Sequence, residues 1–155
     1  MTDVQTLDRA FAAVMSRLVQ TGQAPHYVEL AAELGVDPET GREIVTALMT
    51  SGIPAWTHPG TDYIASFPPF NNLPTQYRIS VDSEQRWFAQ CGFEALAARW
   101  LFPGKLVRID APCLDCGEPL SMEMRDQEIL SVDPPTMVGY SHSPVGGDAE
   151  SRPFR

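Results

Sequence analysis

The spacing of the apolar residues changes along this chain, and that change limits the folds open to it. Up to residue 50 they recur every three or four positions; beyond Gly104 they fall into short, turn-bounded runs. A three-to-four repeat lays one stripe along a helix, whereas short runs bounded by turn residues read as strands. Helices followed by strands predict an α+β fold, with a helical part packed on a small mixed or antiparallel sheet.

Leu7, Phe11, Val14 and Leu18 form one face of a first helix from Asp3 to Gly22, with Thr2 or Asp3 as its N-cap. A second runs from Pro25 to Leu34, burying Val28, Leu30, Ala31 and Leu34 and stopping at Gly35. A third starts at Asp37-Pro38, a cap followed by proline at the first helical position, and turns Ile44, Val45, Leu48 and Met49 inward before Gly52. Leu34–Asp37 has the length of the turn in a helix-turn-helix. Ile53–Ile64, with Trp56 and Tyr63 around His58-Pro59-Gly60, is like a β-wing. Residues 1–66 therefore read as a winged-helix-like region. Its third helix offers Arg42 but also Glu39 and Glu43, and no lysine. The whole chain has 20 acidic against 11 basic residues, a net charge of -9. Phosphate neutralisation needs the opposite balance, so nucleic acid is disfavoured as a partner and the region is expected to serve packing.

Residues 67–76 read as a proline-rich linker, and 77–145 as the core. A strand is expected at Tyr77–Val81. Asp82-Ser83 would then cap a helix to about Trp100, with Trp87, Phe88, Phe93, Leu96 and Ala97 as its apolar residues. Strands follow at Lys105–Ile109, Pro119–Met124, Glu128–Val132 and Met137–Tyr140, and 146–155 reads as a flexible tail. No apolar run approaches the ~20 residues of a membrane span, and the first residues show no signal-peptide pattern. A cytoplasmic protein with no membrane partner is expected. Its three cysteines, Cys91, Cys113 and Cys116, do not make a disulfide framework.

Cys91 and Glu94 lie three apart in the expected helix, on one face. Burial would raise the carboxyl pKa and leave a proton donor beside a soft nucleophile or metal ligand. The plainer reading is a small core thiol and a carboxyl that reaches solvent. Cys113-Leu114-Asp115-Cys116-Gly117 is half of a zinc ribbon, yet a structural zinc needs four ligands and no second pair exists. Metal or thiol chemistry and a simple reduced turn both remain open for it, with zinc or copper as candidate ions. His26 and His58 stand beside prolines as loop residues, and Ser141-His142-Ser143 lacks a nucleophile elbow. Phosphate-cradling and dinucleotide glycine motifs are missing.

Taken together, Trp87-Phe88-Ala89-Gln90-Cys91-Gly92-Phe93-Glu94-Ala95-Leu96, Leu101-Phe102-Pro103 and the Lys105–Ile109 strand resemble the core of the organomercurial (alkylmercury) lyases. So does Cys113–Val132, with Gly117-Glu118-Pro119-Leu120, and the run Ser131-Val132-Asp133-Pro134. That family also carries a winged-helix-like segment ahead of its core. The resemblance implies protonolysis of a carbon–mercury bond, with mercury as substrate and product and no organic cofactor. One thiolate captures the organomercurial, a second ligates the same mercury, and a carboxylic acid delivers a proton to the departing carbon. Soft thiolates suit soft mercury. Cys91 falls at the first thiol, and Glu94 where the family usually has aspartate. The family's second catalytic cysteine lies some sixty residues beyond the first; the corresponding stretch here is Ser151-Arg152-Pro153-Phe154-Arg155. Either the sequence is a short form or the second thiol is absent, so that no residue of it carries over to that role. Cys113 or Cys116 is the candidate replacement, making Cys91, Cys113 and Cys116 the candidate metal ligands. Two other functions compete with a lyase. One is a non-catalytic soft-metal or thiol-reactive binder; the other is a metal-responsive winged-helix regulator.

Overall fold

The computed structural model describes residues 3–140. Helix α1 (Val4–Thr21) starts where the Asp3 carboxylate accepts the Thr6 amide at 3.0 Å, and ends at Gly22 in the left-handed conformation. Helix α2 (Tyr27–Leu34) is capped by His26, whose ring nitrogen accepts the Val28 amide while Glu29 reaches back to the His26 amide at 2.9 Å. His26 is thus a helix cap, a role its proline neighbour hid. Helix α3 (Pro38–Thr50) uses Asp37 as expected, its carboxylate accepting the amides of Glu39 and Thr40.

Eight strands follow: β1 (Trp56–Thr57), β2 (Ile64–Phe67), β3 (Phe70–Asn71), β4 (Arg78–Val81), β5 (Glu84–Ala89), β6 (Val107–Pro112), β7 (Pro119–Arg125) and β8 (Glu128–Asp133). They form one sheet in the order β1-β2-β3-β5-β4-β6-β7-β8, with every neighbouring pair antiparallel. Helix α4 (Gly92–Ala97) and a 3₁₀ turn (Ala98–Leu101) lie between β5 and β6. The fold is α+β.

Helices and sheet share one core. Val14, Leu18, Leu30, Ile44 and Leu48 from the helices are buried with Ile64, Phe67, Phe70, Ile79, Trp87, Phe102 and Val107. Each such side chain contributes about 1.5–3 kcal/mol on leaving water. A polar bond ties the two layers at Trp87. Its indole N–H donates to the Leu18 carbonyl at 2.8 Å, and its ring meets Phe102 edge-on at 4.8 Å. Beside it, Gly22 is held so close to Arg86 that a Cβ would stand 2.7 Å from the Arg86 carbonyl oxygen. The expected α1 face is rotated slightly, because Ala10 and Ala13 are buried while Phe11 lies at the rim against Phe67.

Three sequence expectations are corrected. The helix expected over residues 83–100 is instead strand β5, a break at Gln90-Cys91, and the short helix α4. Asp82 and Ser83 do not cap a helix; both take positive φ, 47° and 72°, and turn β4 into β5. Trp87 and Ala89 face the core while Glu84 and Arg86 are exposed, as a strand requires. Phe93 and Ala97 are exposed rather than buried. Within the stretch expected to be a linker, Phe70–Asn71 forms β3, with Phe70 buried between β2 and β5. Residues 137–140 form no strand. His142 and the expected tail at 146–155 lie outside the described residues. Among the described residues, no helix is long and apolar enough to cross a membrane.

Candidate functional site

The site is built where β5 ends. Ala89 is held from three sides: it pairs with Phe70 of β3, its amide donates to the Tyr77 carbonyl at 3.1 Å, and its carbonyl accepts the Thr75 hydroxyl at 2.6 Å. The next residue, Gln90, is buried, and its side-chain amide donates to the Pro54 carbonyl at 3.1 Å. The chain then turns at Cys91, whose extended backbone (φ -146°, ψ 172°) makes it the N-cap of α4. Rigid strand on one side and helix start on the other fix the direction of the thiol.

Glu94 is three residues on, at the third helical position. This is the register of a capping box, with cysteine in the place of serine or threonine. The Cys91 side chain makes no cap hydrogen bond; its sulfur stands beside the Glu94 carboxyl instead. Burial pushes the half-buried thiol's pKa up; the nearby amides of Glu94 and Phe93 oppose this, and the Glu94 charge adds to it. Glu94 is more strongly perturbed. Burial raises its carboxyl from the ordinary 4.5 to about 7, against the pull of the Cys91 thiol and the amides of Cys91 and Gln90. Its Oε2 is buried and accepts no hydrogen bond. A buried carboxyl oxygen without a donor favours the protonated acid, because the loss of water outweighs the hydrogen bonds that reach the rest of the group. Thiol and carboxyl therefore share one turn of backbone.

Cys113 and Cys116 belong to the tip of the β6–β7 hairpin. The Cys113 amide donates to the Glu118 carbonyl at 2.7 Å and the Gly117 amide to the Cys113 carbonyl at 2.9 Å. Gly117 takes φ 77°, a conformation that suits glycine. The amides of Cys116 and Asp115 face the Cys113 sulfur and hold its pKa down. The Glu118 amide draws the Cys116 thiol down, but the Cys113 sulfur, desolvation and the Glu118 charge together shift it up. Among the described residues, no three His, Cys, Asp or Glu side chains are gathered as a metal site. The three cysteines are thus not one three-ligand cluster. The register does bring Cys91 and Cys113 to the same end of the sheet: Arg78 lies between Phe88 and Asp110, and each cysteine follows three residues past that row.

Comparison with known proteins joins this geometry to a family. The family model described as MerB, alkylmercury lyase, matches residues 70–152, more than half of the chain. The chain belongs to the alkylmercury lyase family. Alkylmercury lyases of Bacillus cereus and Clostridium butyricum are each 35% identical to it over 69 residues, 43% of this chain and 29% of each relative. The matched stretch thus spans under a third of those lyases. A solved structure, the mercury-bound form of MerB2, shares the fold with a TM-score of 0.62 at 17% identity, over 84% of this chain and 66% of that one. Cys91, Glu94, Cys113 and Cys116 all fall inside the stretch matched by the alkylmercury lyase model.

Sequence reading missed the residues that hold the Cys91 turn in place, namely Thr75, Tyr77 and Gln90. Thr75 and Gln90 act through bonds to backbone carbonyls 14 and 36 residues away, which no local pattern announces. One local signal was present: Cys-x-x-Glu has the capping-box spacing and marks a helix start at Cys91.

Proposed function

We propose that this chain captures an organomercurial at Cys91 and that Glu94 protonates the carbon as the carbon–mercury bond breaks. The observation that carries the reading is the buried, unpartnered Oε2 of Glu94, one helical turn from a thiol left uncapped. Family membership supports the choice of substrate class.

In this reading the Cys91 thiolate attacks the mercury of R–Hg–X and X⁻ departs, leaving R–Hg–S. A second thiolate then adds to the mercury and pushes electron density onto the carbon. The proton of the Glu94 carboxyl moves to that carbon, the carbon–mercury electron pair becomes the new C–H bond, and R–H leaves. Mercury(II) stays on sulfur, and solvent returns a proton to Glu94. Holding acid and sulfur on one turn of backbone removes most of the orientational cost of the transfer. In this reading a small thiol from solution supplies the second sulfur; among the described residues, no three His, Cys, Asp or Glu side chains gather as a metal-binding group that would bring a hairpin thiol to Cys91 and Glu94.

The test is intact mass spectrometry of the reduced protein after phenylmercury exposure, with and without excess small-molecule thiol. Benzene release is the expected result when thiol is present, with the mercury either on Cys91 as a mixed adduct that also carries the small thiolate or carried off by the excess thiol. A gain of bare mercury would mean that both sulfurs belong to the protein. Retention of the phenyl group under all conditions would leave only the binding function. If Cys113→Ser or Cys116→Ser stops benzene release while capture continues, the second sulfur comes from the hairpin instead.

A further inference from the structure

We propose that the Cys113–Cys116 turn is a binding site in its own right, taking one soft, two-coordinate d10 cation such as Hg(II) between its two sulfurs without help from Cys91. The turn is built for two sulfur ligands. It closes on itself through the Cys113–Glu118 and Gly117–Cys113 backbone bonds, and β6 and β7 anchor it with six paired residues on each side. Amides of Asp115 and Cys116 face one sulfur, and the amide of Glu118 faces the other. Backbone N–H groups placed this way support charge on sulfur that is bound to a cation. The contacts of both sulfurs stay within the turn: the two thiols lie beside each other, and the Cys116 thiol also reaches the Glu118 carboxylate at 3.9 Å.

The surroundings select the kind of ion. Asp115 lies between the two cysteines and Glu118 two residues beyond them, which favours a cation over an anion or a neutral electrophile. Among the described residues, no third His, Cys, Asp or Glu completes a metal-binding group. A tetrahedral ion such as zinc would be left two ligands short, whereas a soft d10 ion is satisfied by two thiolates. Binding replaces the two thiol protons, which pass to solvent, with two sulfur–metal bonds; nothing is oxidised or reduced. Because both sulfurs sit in one closed turn, the second bond forms at an effective concentration of about millimolar or above, which a free monothiol must overcome.

The experiment uses the full chain as Cys91→Ser, so its result does not depend on the function proposed for Cys91. The reduced protein receives one equivalent of mercuric chloride, then excess glutathione, and is read by native mass spectrometry and by thiolate–mercury absorption. One mercury per chain, with two protons lost, is expected to persist. Adding Cys113→Ser or Cys116→Ser should lower retention at least about tenfold, as chelation is lost; circular dichroism verifies that these changes in the turn leave the fold intact. Equal retention by the single-thiol variants, mercury found only between two chains, or no uptake would each overturn the proposal. Retention of Zn(II) under the same glutathione competition would overturn the two-coordinate assignment.

Discussion

Glu94 stands where its charge is hardest to keep, and the consequences can be measured residue by residue. Its neutral isostere in Glu94→Gln should still capture phenylmercury, at an equal or higher rate, because the carboxylate charge that raises the Cys91 pKa is gone. Benzene release should fall at least about 100-fold, the usual scale for loss of a positioned proton donor. Capture and cleavage should respond oppositely to pH. Capture by Cys91 rises with pH as its burial-raised thiol ionises, whereas cleavage of the captured species declines as pH passes about 7 and Glu94 loses its proton. Stopped-flow capture and single-turnover benzene release separate the two. Stability carries the same sign. A folded-state pKa raised from 4.5 to about 7 means that the contribution of Glu94 is whole below about pH 4.5 and lost as pH rises through 7. At pH 8, Glu94→Gln should therefore resist urea better than the parent by about 1–2 kcal/mol, a figure reduced for the group's partial exposure. The gap should close near pH 4.

At the scale of elements, what was readable depended on whether the signal was local. Asp37-Pro38 and the Ile44–Val45–Leu48 stripe announce α3 by themselves, and β6 to β8 are bounded by plain turn residues. The β4–β5 hairpin was hidden because its turn is Asp82-Ser83, without the glycine that normally marks two successive positive φ values. Long-range bonds stabilise it instead: the Asp82 carboxylate accepts the Leu106 amide at 3.1 Å and pairs with Lys105 at 2.7 Å. Reading that turn as a cap made a helix of β5, and so put Cys91 in mid-helix. The pair Cys91–Glu94 survived the error because three residues bring two side chains together at a helix start as well as within it. The contact between α2 and α3 makes its own prediction. A Cβ at Gly41 would lie 2.6 Å from the Ala31 Cβ and 2.7 Å from the Tyr27 carbonyl oxygen. Gly41→Ala should force the helices apart and cost about 1–3 kcal/mol in a denaturant melt, despite alanine's better helix propensity.

On the scale of the whole molecule, the region of family likeness and the folding unit have different edges. The family match begins at residue 70, inside the sheet at β3, while Phe67 and the helices ahead of it complete the core around Trp87. A chain starting at Phe70 would lose the Leu18 carbonyl that receives the indole and every helix over that face. It should show no cooperative thermal transition, and it should bind a hydrophobic dye where the full chain does not.

The sheet that runs unbroken from Trp56 to Asp133 also bears on inheritance. In gene shuffling between this chain and a relative, a crossover at the 113–118 hairpin tip exchanges only an exposed turn. A crossover at 67–76, the stretch whose prolines look like a seam, would mate a β2 from one parent with a β3 and β5 from another. Surviving chimeras should be rich in the first and poor in the second, so that the two halves descend as one.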